Sequence, residues 1–530
     1  MRFLLGCTMG LAAFSAMAQK QKPNIIFIMS DDHASQGIGV YQSRLARFNP
    51  TPNIDRLGKE GMRFDNCFVT NSISTPSRAC ITTGQYSQTN GVLTLEEELP
   101  EERQYLPQEM HKLGYQTAII GKWHLHASPD AYDYYNIFYG QGTYFDPVLY
   151  EKNDTDSLIY TAYHRKRGMV PGKQYKGHSS DVVMDLTLDY LKNKRDKSKP
   201  FFLQHHFKAP HDAFEFNPRY ADYLKDEFIP EPASMYYDAN HGSVGTHGVD
   251  GKLRNVIGTS IGKRSSKWRM GEVMDIDPKL CDDEYKHQAY QEYIKRYLRC
   301  IKGVDDNVKR LFDYLESEGL MDNTIIMYTG DQGFMLGEHD YMDKRWMYEE
   351  SMRMPLLVRY PKKIKAGSVS DAIVNNVDFA PTIISLAGGE VPSYMQGSSA
   401  KEILYTGKEP EGWKQATYYR YWMHMIHHSN PGHFGIRTKD YKLIFFYGLP
   451  FQEWRKDRQF LMWNFETPPA WELYDLRKDP QEMNNVYGDP RYAEITKELK
   501  EQLKQMRKDL NEGDDKYPRI KDVIEKNWDK

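Results

Sequence analysis

Two apolar runs in this chain end in acid: PNIIFIMSDD at 23–32 and NTIIMYTGDQG at 323–333. A strand that is apolar at nearly every position, rather than at alternate ones, has to be covered on both faces. That is the environment of a parallel sheet held between helix layers. YQTAIIGKWHL (115–125) and KPFFLQHHFKAPH (199–211) have the same character, and MPLLVRYP (354–361) is a fifth strand. Helical patterns lie between them: TPNIDRLGKEG (51–61), opened by Thr and Pro and closed by Gly; a capped SDVVMDLTLDYLKN (180–193); and a long run at 285–319, expected to bend or break near Gly303. The alternation predicts an α/β fold with a large, mainly parallel sheet flanked by helices. Beyond a polar, turn-rich stretch at roughly 390–415, HFGIRTKDYKLIFFY (433–447, turning at Lys439-Asp440) and WELYDLRKDPQEMNNVY (471–487) predict a smaller antiparallel sheet, and 488–513 a charged helix.

Open α/β sheets bind ligands outside the carboxyl ends of their strands. Asp31, Asp32, Lys122, His124, His211 and Asp331 all fall at or just past such ends. Neighbouring carboxylates repel unless a cation offsets them. Asp31, Asp32 and Asp331, with the amide oxygen of Gln332, form a donor set for one hard divalent ion, Ca²⁺ ahead of Mg²⁺. Either acidic pair alone reads as a cap or a turn; their matching positions favour the ion. Lys122 and His124, two apart, would face one side of an extended segment, and with His211 they suit anion binding and proton transfer. Lys344, after the GDQG loop, is a site cation or a plain surface lysine; His339 contacts a ligand or faces solvent.

The charge balance is even, 70 Lys and Arg against 73 Asp and Glu, and the local basic stretches at 165–168, 192–199 and 262–269 read as surface, which argues against a nucleic-acid partner. Residues 1–18 read as a secretory signal peptide cleaved before Gln19, which places the chain in the periplasm or outside the cell. No other stretch offers the ~20 apolar residues of a membrane span. Cys67, Cys80, Cys281 and Cys300 form no C-x-x-C pattern, so a zinc scaffold is excluded, and a Cys281–Cys300 bridge stays open.

NSISTPSRACITTG (71–84) puts Ser74 where a nucleophile could sit, yet not in a Gly-x-Ser-x-Gly elbow. Ser74-Thr75-Pro76-Ser77-Arg78, followed by Ala79 and Thr83-Gly84, resembles the signature of the formylglycine-dependent sulfatases. SDDH (30–33), GKWHL (121–125), KAPH (208–211), GDQG (330–333) and DKRWMYEESMRMPLLVRYP (343–361) agree in order, across 23 to about 390, and WELYDLRKDPQEMNNV is similar to the family's end domain. The resemblance is strongest to the N-acetylglucosamine-6-sulfatase branch. It implies the alkaline-phosphatase-like sulfatase fold, with a catalytic domain over 22–392 and a C-terminal subdomain, antiparallel sheet plus helix, over 415–530. It also implies oxidation of Ser74 to formylglycine by an anaerobic sulfatase-maturing enzyme, since an oxygen-dependent oxidase of cysteine would leave a serine untouched. Gln332 stands where the family more usually has Asn or His.

The implied roles follow the same resemblance. Asp31, Asp32, Asp331, Gln332 and residue 74 hold the ion; Lys122 and Lys344 neutralise the sulfate; Arg78 orients the hydrated aldehyde. His211 is the acid and His124 the base, or the reverse. The expected substrate is a sulfated mono- or oligosaccharide, first the 6-O-sulfate of glucosamine or N-acetylglucosamine from heparin or heparan sulfate. Alternatives are an N-acetylgalactosamine 6-sulfate, a uronate 2-sulfate, a metal-dependent phosphatase or phosphodiesterase of related fold, and an inactive glycan-binding protein. YYRYWMHMIHHSNPGHFG (418–435) either closes over the sugar ring or forms the seam between core and end domain.

Overall fold

The computed structural model describes residues 22–138, 140–153, 159–164, 168–236, 240–262, 274–452 and 465–530, so the expected signal peptide and most of the basic stretches at 165–168 and 262–269 lie outside the described residues. Asn24–Ser30 is a strand buried at every position. Ile25, Phe27 and Met29 join one apolar layer and Ile26 and Ile28 the other, which is why its sequence does not alternate. The strand runs parallel to Thr324–Gly330 on one side and to Phe201–Phe207 on the other, and Gln116–Lys122 lies parallel beyond the latter. Register brings the strand ends together: Ser30 pairs with both Gly330 and Phe207, and Gly121 with His206. Four loops bearing acids, lysines and histidines therefore leave the sheet at one edge. Gly121 is required there. Its φ is +104°, and a Cβ would meet the His206 carbonyl oxygen at 1.9 Å.

Tyr134–Phe138 completes the parallel centre of an eleven-stranded sheet. The margins are antiparallel except for the outermost strand Ser368–Ser370, which runs parallel to Met62–Phe64. Leu356–Arg359, the expected fifth strand, pairs antiparallel with both Thr324–Gly330 and Met62–Phe64, and at the other end Val148–Glu151, Gly168–Gln174 and Ile159–His164 add antiparallel pairs that the sequence did not announce.

Two helix expectations need correction. Asp282–Ser317 is one unbroken helix of 36 residues. Gly303 lies within it because a Cβ there would come within 3.2 Å of the Tyr220 ring; the small residue serves packing, not a break. Helix Ile54–Lys59 is capped from the far side of the molecule: the Asp305 carboxylate accepts from the backbone N–H groups of Asn53 (3.0 Å) and Ile54 (2.8 Å), while Thr51 bonds Asp55. Helix Ser179–Asp189 takes its cap from the His178 ring.

Beyond the large sheet, Ala416–Tyr421, His433–Thr438, Tyr441–Phe446 and Ala470–Asp475 form a four-stranded antiparallel sheet in that order. Helices Ala493–Asp509 and Pro518–Asn527 pack against it. The polar 390–415 stretch contains helix Lys401–Thr406, and the N–H groups of Gln396 and Gly397 bond the Gly84 carbonyl, so it is fastened to the large unit. Cys281 is exposed and Cys300 buried, both free, which rules out the bridge between them. Among the described residues no helix is long and apolar enough to cross a membrane.

Candidate active site

Asp31, Asp32 and Asp331 are fully buried at adjacent strand ends, with one carboxylate oxygen of each within 4.8 Å of the others. The Asp32 N–H donates to Asp331 Oδ1 at 3.0 Å, which locks the two strand ends together. Three anions in one dry site need compensation, and side chains from three other segments supply it. Lys122 Nζ bonds Asp31 Oδ2, and Lys344 Nζ reaches Asp32 Oδ2 at 2.6 Å. Arg78 donates from Nε (3.1 Å) and Nη2 (3.0 Å) to Asp331 Oδ2, from Nη1 to the Lys122 carbonyl at 2.7 Å, and lies 3.4 Å from Asp31 Oδ1. Lys344 is thus a site residue and not a surface lysine.

Burial alone would raise the Asp31 carboxyl, but Lys122, His211, Arg78 and Lys344 together hold it well below the usual carboxylate range. Asp331 goes the other way. Burial and the Asp31 charge push it up to about 6 against the pull of Arg78. The protein's own cations therefore leave one of three carboxylates short of compensation. The buried Oε1 of Gln332 has no hydrogen-bond partner, while its Nε2 bonds Asp32 Oδ1. Three carboxylates with an orphaned amide oxygen beside them fit a hard dication.

Ser74 is the first residue of helix Ser74–Thr83, which stops at Gly84 with φ +66°. Its Oγ lies 3.4 Å from Asp31 Oδ1, the same oxygen that Arg78 approaches from one helical turn on. Pro76 falls in the first turn, where a missing N–H costs no helical bond. The positive end of this ten-residue helix faces the cluster.

The histidines differ from each other. His124 is not on an extended segment: its φ is +56°, so the chain turns just after Lys122. Burial, reinforced by Lys122, His126 and Arg78, holds the ring well below the usual imidazole range, and its Nδ1 has no hydrogen-bond partner. The ring is therefore held in its neutral form, with one nitrogen open to a partner. His211 sits nearer the solvent, with Nε2 3.8 Å from Asp32 Oδ2. His339 does not face solvent; it is buried, with its ring stacked 3.6 Å over His241 and beside Tyr348.

Several neighbours escape sequence reading. Lys208 is 5% exposed, with its ammonium over the Tyr144 ring and 3.1 Å from the Gln141 carbonyl; burial lowers its pKa against nearby Asp31. The strand-end rule that picked out Asp31 applies equally to Lys208, one residue past Phe207. Gln141, whose Oε1 accepts from Lys122 Nζ, carries no such signal. Asp343, Arg345 and His428 gather next to Lys344: Arg345 bonds Asp343, and His428 Nδ1 lies 3.4 Å from Asp343 Oδ2. At Tyr419 the 418–435 stretch forms a seam: the hydroxyl accepts from the Ser72 N–H at 3.3 Å and donates to the Arg345 carbonyl at 2.9 Å.

Comparison with known proteins places this geometry. The Sulfatase family model matches residues 23–389, and the model for the C-terminal region of N-sulphoglucosamine sulphohydrolase matches 337–460 and 452–509. An N-acetylglucosamine-6-O-sulfatase of Bacteroides thetaiotaomicron is 38% identical over 94% of this chain and 88% of its own length. The human N-acetylglucosamine-6-sulfatase is 27% identical over 75% of this chain and 67% of its own. A solved structure described as bound to its substrate, D-glucosamine-2-N,6-O-disulfate, superimposes with a TM-score of 0.78 at 38% identity, covering 94% of this chain and 99% of the other. With the buried acids, lysines and Ser74 gathered at one sheet edge and a family model spanning most of the chain, this protein belongs to the sulfatase family.

Proposed function

We propose that this sulfatase acts from a chain end and removes the 6-O-sulfate of N-acetylglucosamine or glucosamine in heparin- or heparan-type saccharides. The supporting observation is 38% identity, sustained over 94% of the chain, to a relative named for that reaction. The C-terminal sheet lies within that span, and its Tyr419 touches both the segment before Ser74 and the loop after Lys344. Residues that would read the sugar therefore come from both units.

In this reading Asp31, Asp32, Asp331 and Gln332 would hold one dication, Ca²⁺ ahead of Mg²⁺, which would supply Lewis acidity to a sulfate oxygen. Ser74, oxidised to formylglycine by an anaerobic sulfatase-maturing enzyme, would supply as its hydrate an oxygen nucleophile that a plain hydroxyl does not match. With these carboxylates held by the ion, the ammonium groups of Lys122 and Lys344 would be free to neutralise the charge on the sulfate oxygens. Arg78 keeps Asp331 and the Lys122 backbone in place and stands beside residue 74. His211 delivers a proton from Nε2 to the departing alcohol oxygen. His124, neutral and with a bare Nδ1, takes the proton that must leave residue 74. Asp343, Arg345 and His428, gathered next to Lys344, would read ring hydroxyls beyond the sulfate. The leader at 1–18 supports export to the periplasm or beyond.

A side-by-side assay tests the substrate assignment. N-acetylglucosamine 6-sulfate should be desulfated with a kcat/KM about 100-fold or more above that for N-acetylgalactosamine 6-sulfate. The epimers differ at one hydroxyl, and a site that hydrogen-bonds a hydroxyl discriminates strongly against its loss. A 2-sulfated unsaturated disaccharide and a sugar 6-phosphate should be poor substrates. Preference for any of the three comparison compounds would overturn the assignment.

A further inference from the structure

We propose that Asp212, together with Tyr144, clamps His211 so that only its Nε2 can exchange a proton with the substrate, which makes Asp212 a positioning residue of the reaction; this rests on the assignment of His211 as proton donor. His211 Nδ1 meets two acceptors of the next residue, the Asp212 carboxylate Oδ1 at 2.6 Å and the Asp212 backbone carbonyl at 2.8 Å. Both groups only accept, so Nδ1 carries a proton whether the ring is neutral or charged. The second proton is gained and lost at Nε2 alone, and Nε2 is the nitrogen that faces the carboxylate cluster, 3.8 Å from Asp32 Oδ2.

The backbone is pinned as well. The Tyr144 hydroxyl donates to the His211 carbonyl. Tyr144 lies beneath the Lys208 ammonium, 4.9 Å from the ring centroid, and Lys208 is tied to the Gln141 carbonyl. The loop that carries Gln141 and Tyr144 thus holds Lys122 by one residue and the His211 peptide by another. Asp212 is a neighbour in sequence and carries no metal-ligand role, yet it is the anion closest to His211 Nδ1.

The step balances without a change in Asp212. As the oxygen nucleophile at residue 74 forms its bond to sulfur, the bond from sulfur to the sugar oxygen breaks, its electron pair goes to that oxygen, and the proton on His211 Nε2 goes with it to form the alcohol. The ring is left neutral with Nδ1–H still on Asp212, and the carboxylate stays ionised throughout. Its acceptor holds the proton on Nδ1 and so excludes the tautomer that would place N–H on Nε2 of the neutral ring. The backbone carbonyl alone offers direction without charge.

A double-mutant cycle distinguishes this role from ordinary support of the loop. Asp212→Ala should lower kcat on the sulfated sugar by about 10- to 100-fold with KM changed less than about threefold, a fraction of the 10²–10⁴ that general acid catalysis contributes. Asp212→Asn, which keeps an acceptor and the side-chain volume, should fall between wild type and Asp212→Ala. In a His211→Ala background, Asp212→Ala should cause no further loss. Losses that multiply, or a kcat for Asp212→Ala within twofold of wild type, would overturn the clamp. Matching thermal unfolding of Asp212→Asn and wild type keeps the kinetic comparison meaningful, and the cycle runs on whichever sulfate ester the wild type hydrolyses. A wrong sugar assignment therefore shows as a changed wild-type substrate, whereas a wrong clamp shows only in the cycle.

Discussion

Replacement of Ser74 by Ala is expected to abolish sulfate release and leave the fold standing. The hydroxyl makes a single bond in the described structure, at 3.4 Å to Asp31 Oδ1, and the residue is 2% exposed at the start of a helix. Losing so long a contact costs at most about 1 kcal/mol, and Ala is the better helix former. The chemistry has no such reserve. Without an oxidisable side chain at position 74 there is no nucleophile, and loss of a nucleophile costs about 10⁴-fold or more in kcat. Sulfate release and thermal unfolding, measured on the variant and wild type together, check both halves. Retained turnover would refute the assignment. Ser74→Cys separates maturation from chemistry, because it should be active only when the host's maturation enzyme accepts cysteine.

The second large effect is expected at Asp331. Asp331→Asn keeps the acceptor for the Asp32 N–H and the shape of the side chain but removes one of three charges. Second-sphere partners of metal ligands are worth 10- to 100-fold in affinity, so loss of a direct carboxylate ligand should weaken ion binding by more than about 100-fold. Activity should disappear with the ion. The variant should still fold, since Arg78 retains the Lys122 carbonyl and Asp31. Elemental analysis of the purified variant checks this, and a full complement of Ca²⁺ or Mg²⁺ would exclude Asp331 as a ligand.

Legibility of the sequence followed the strength of physical constraint. Asn24–Ser30 and Thr324–Gly330 could be recognised because double-sided burial leaves no room for alternation, and their ends marked the acids. Met62–Phe64, at three residues, is too short for any period to register. Gly303 was misread because a glycine in a helix signals a break locally, while its cause here, the Tyr220 ring, is distant in sequence. The Asp305 cap of Ile54–Lys59 was hidden for the same reason. In the site, Asp31, Asp32 and Asp331 declared themselves through charge at strand ends. Gln141 and Asp343 act through neighbours that only the fold supplies, and His339 in its loop gave no hint of the stacking with His241. Sugar recognition is the least legible part, because in the proposed reading its residues would come from two units joined at the Tyr419 seam.

The central claim is that residue 74 works as an oxidised serine held by the three-aspartate site. Mass spectrometry of the peptide spanning Ser74–Arg78, taken from protein of known specific activity produced with and without an anaerobic maturation enzyme, tests it most directly. The account predicts a peptide lighter by two hydrogen atoms, or its hydrate, in a fraction that tracks sulfate release across preparations. A fully active preparation in which that peptide carries the unmodified mass of serine would contradict it.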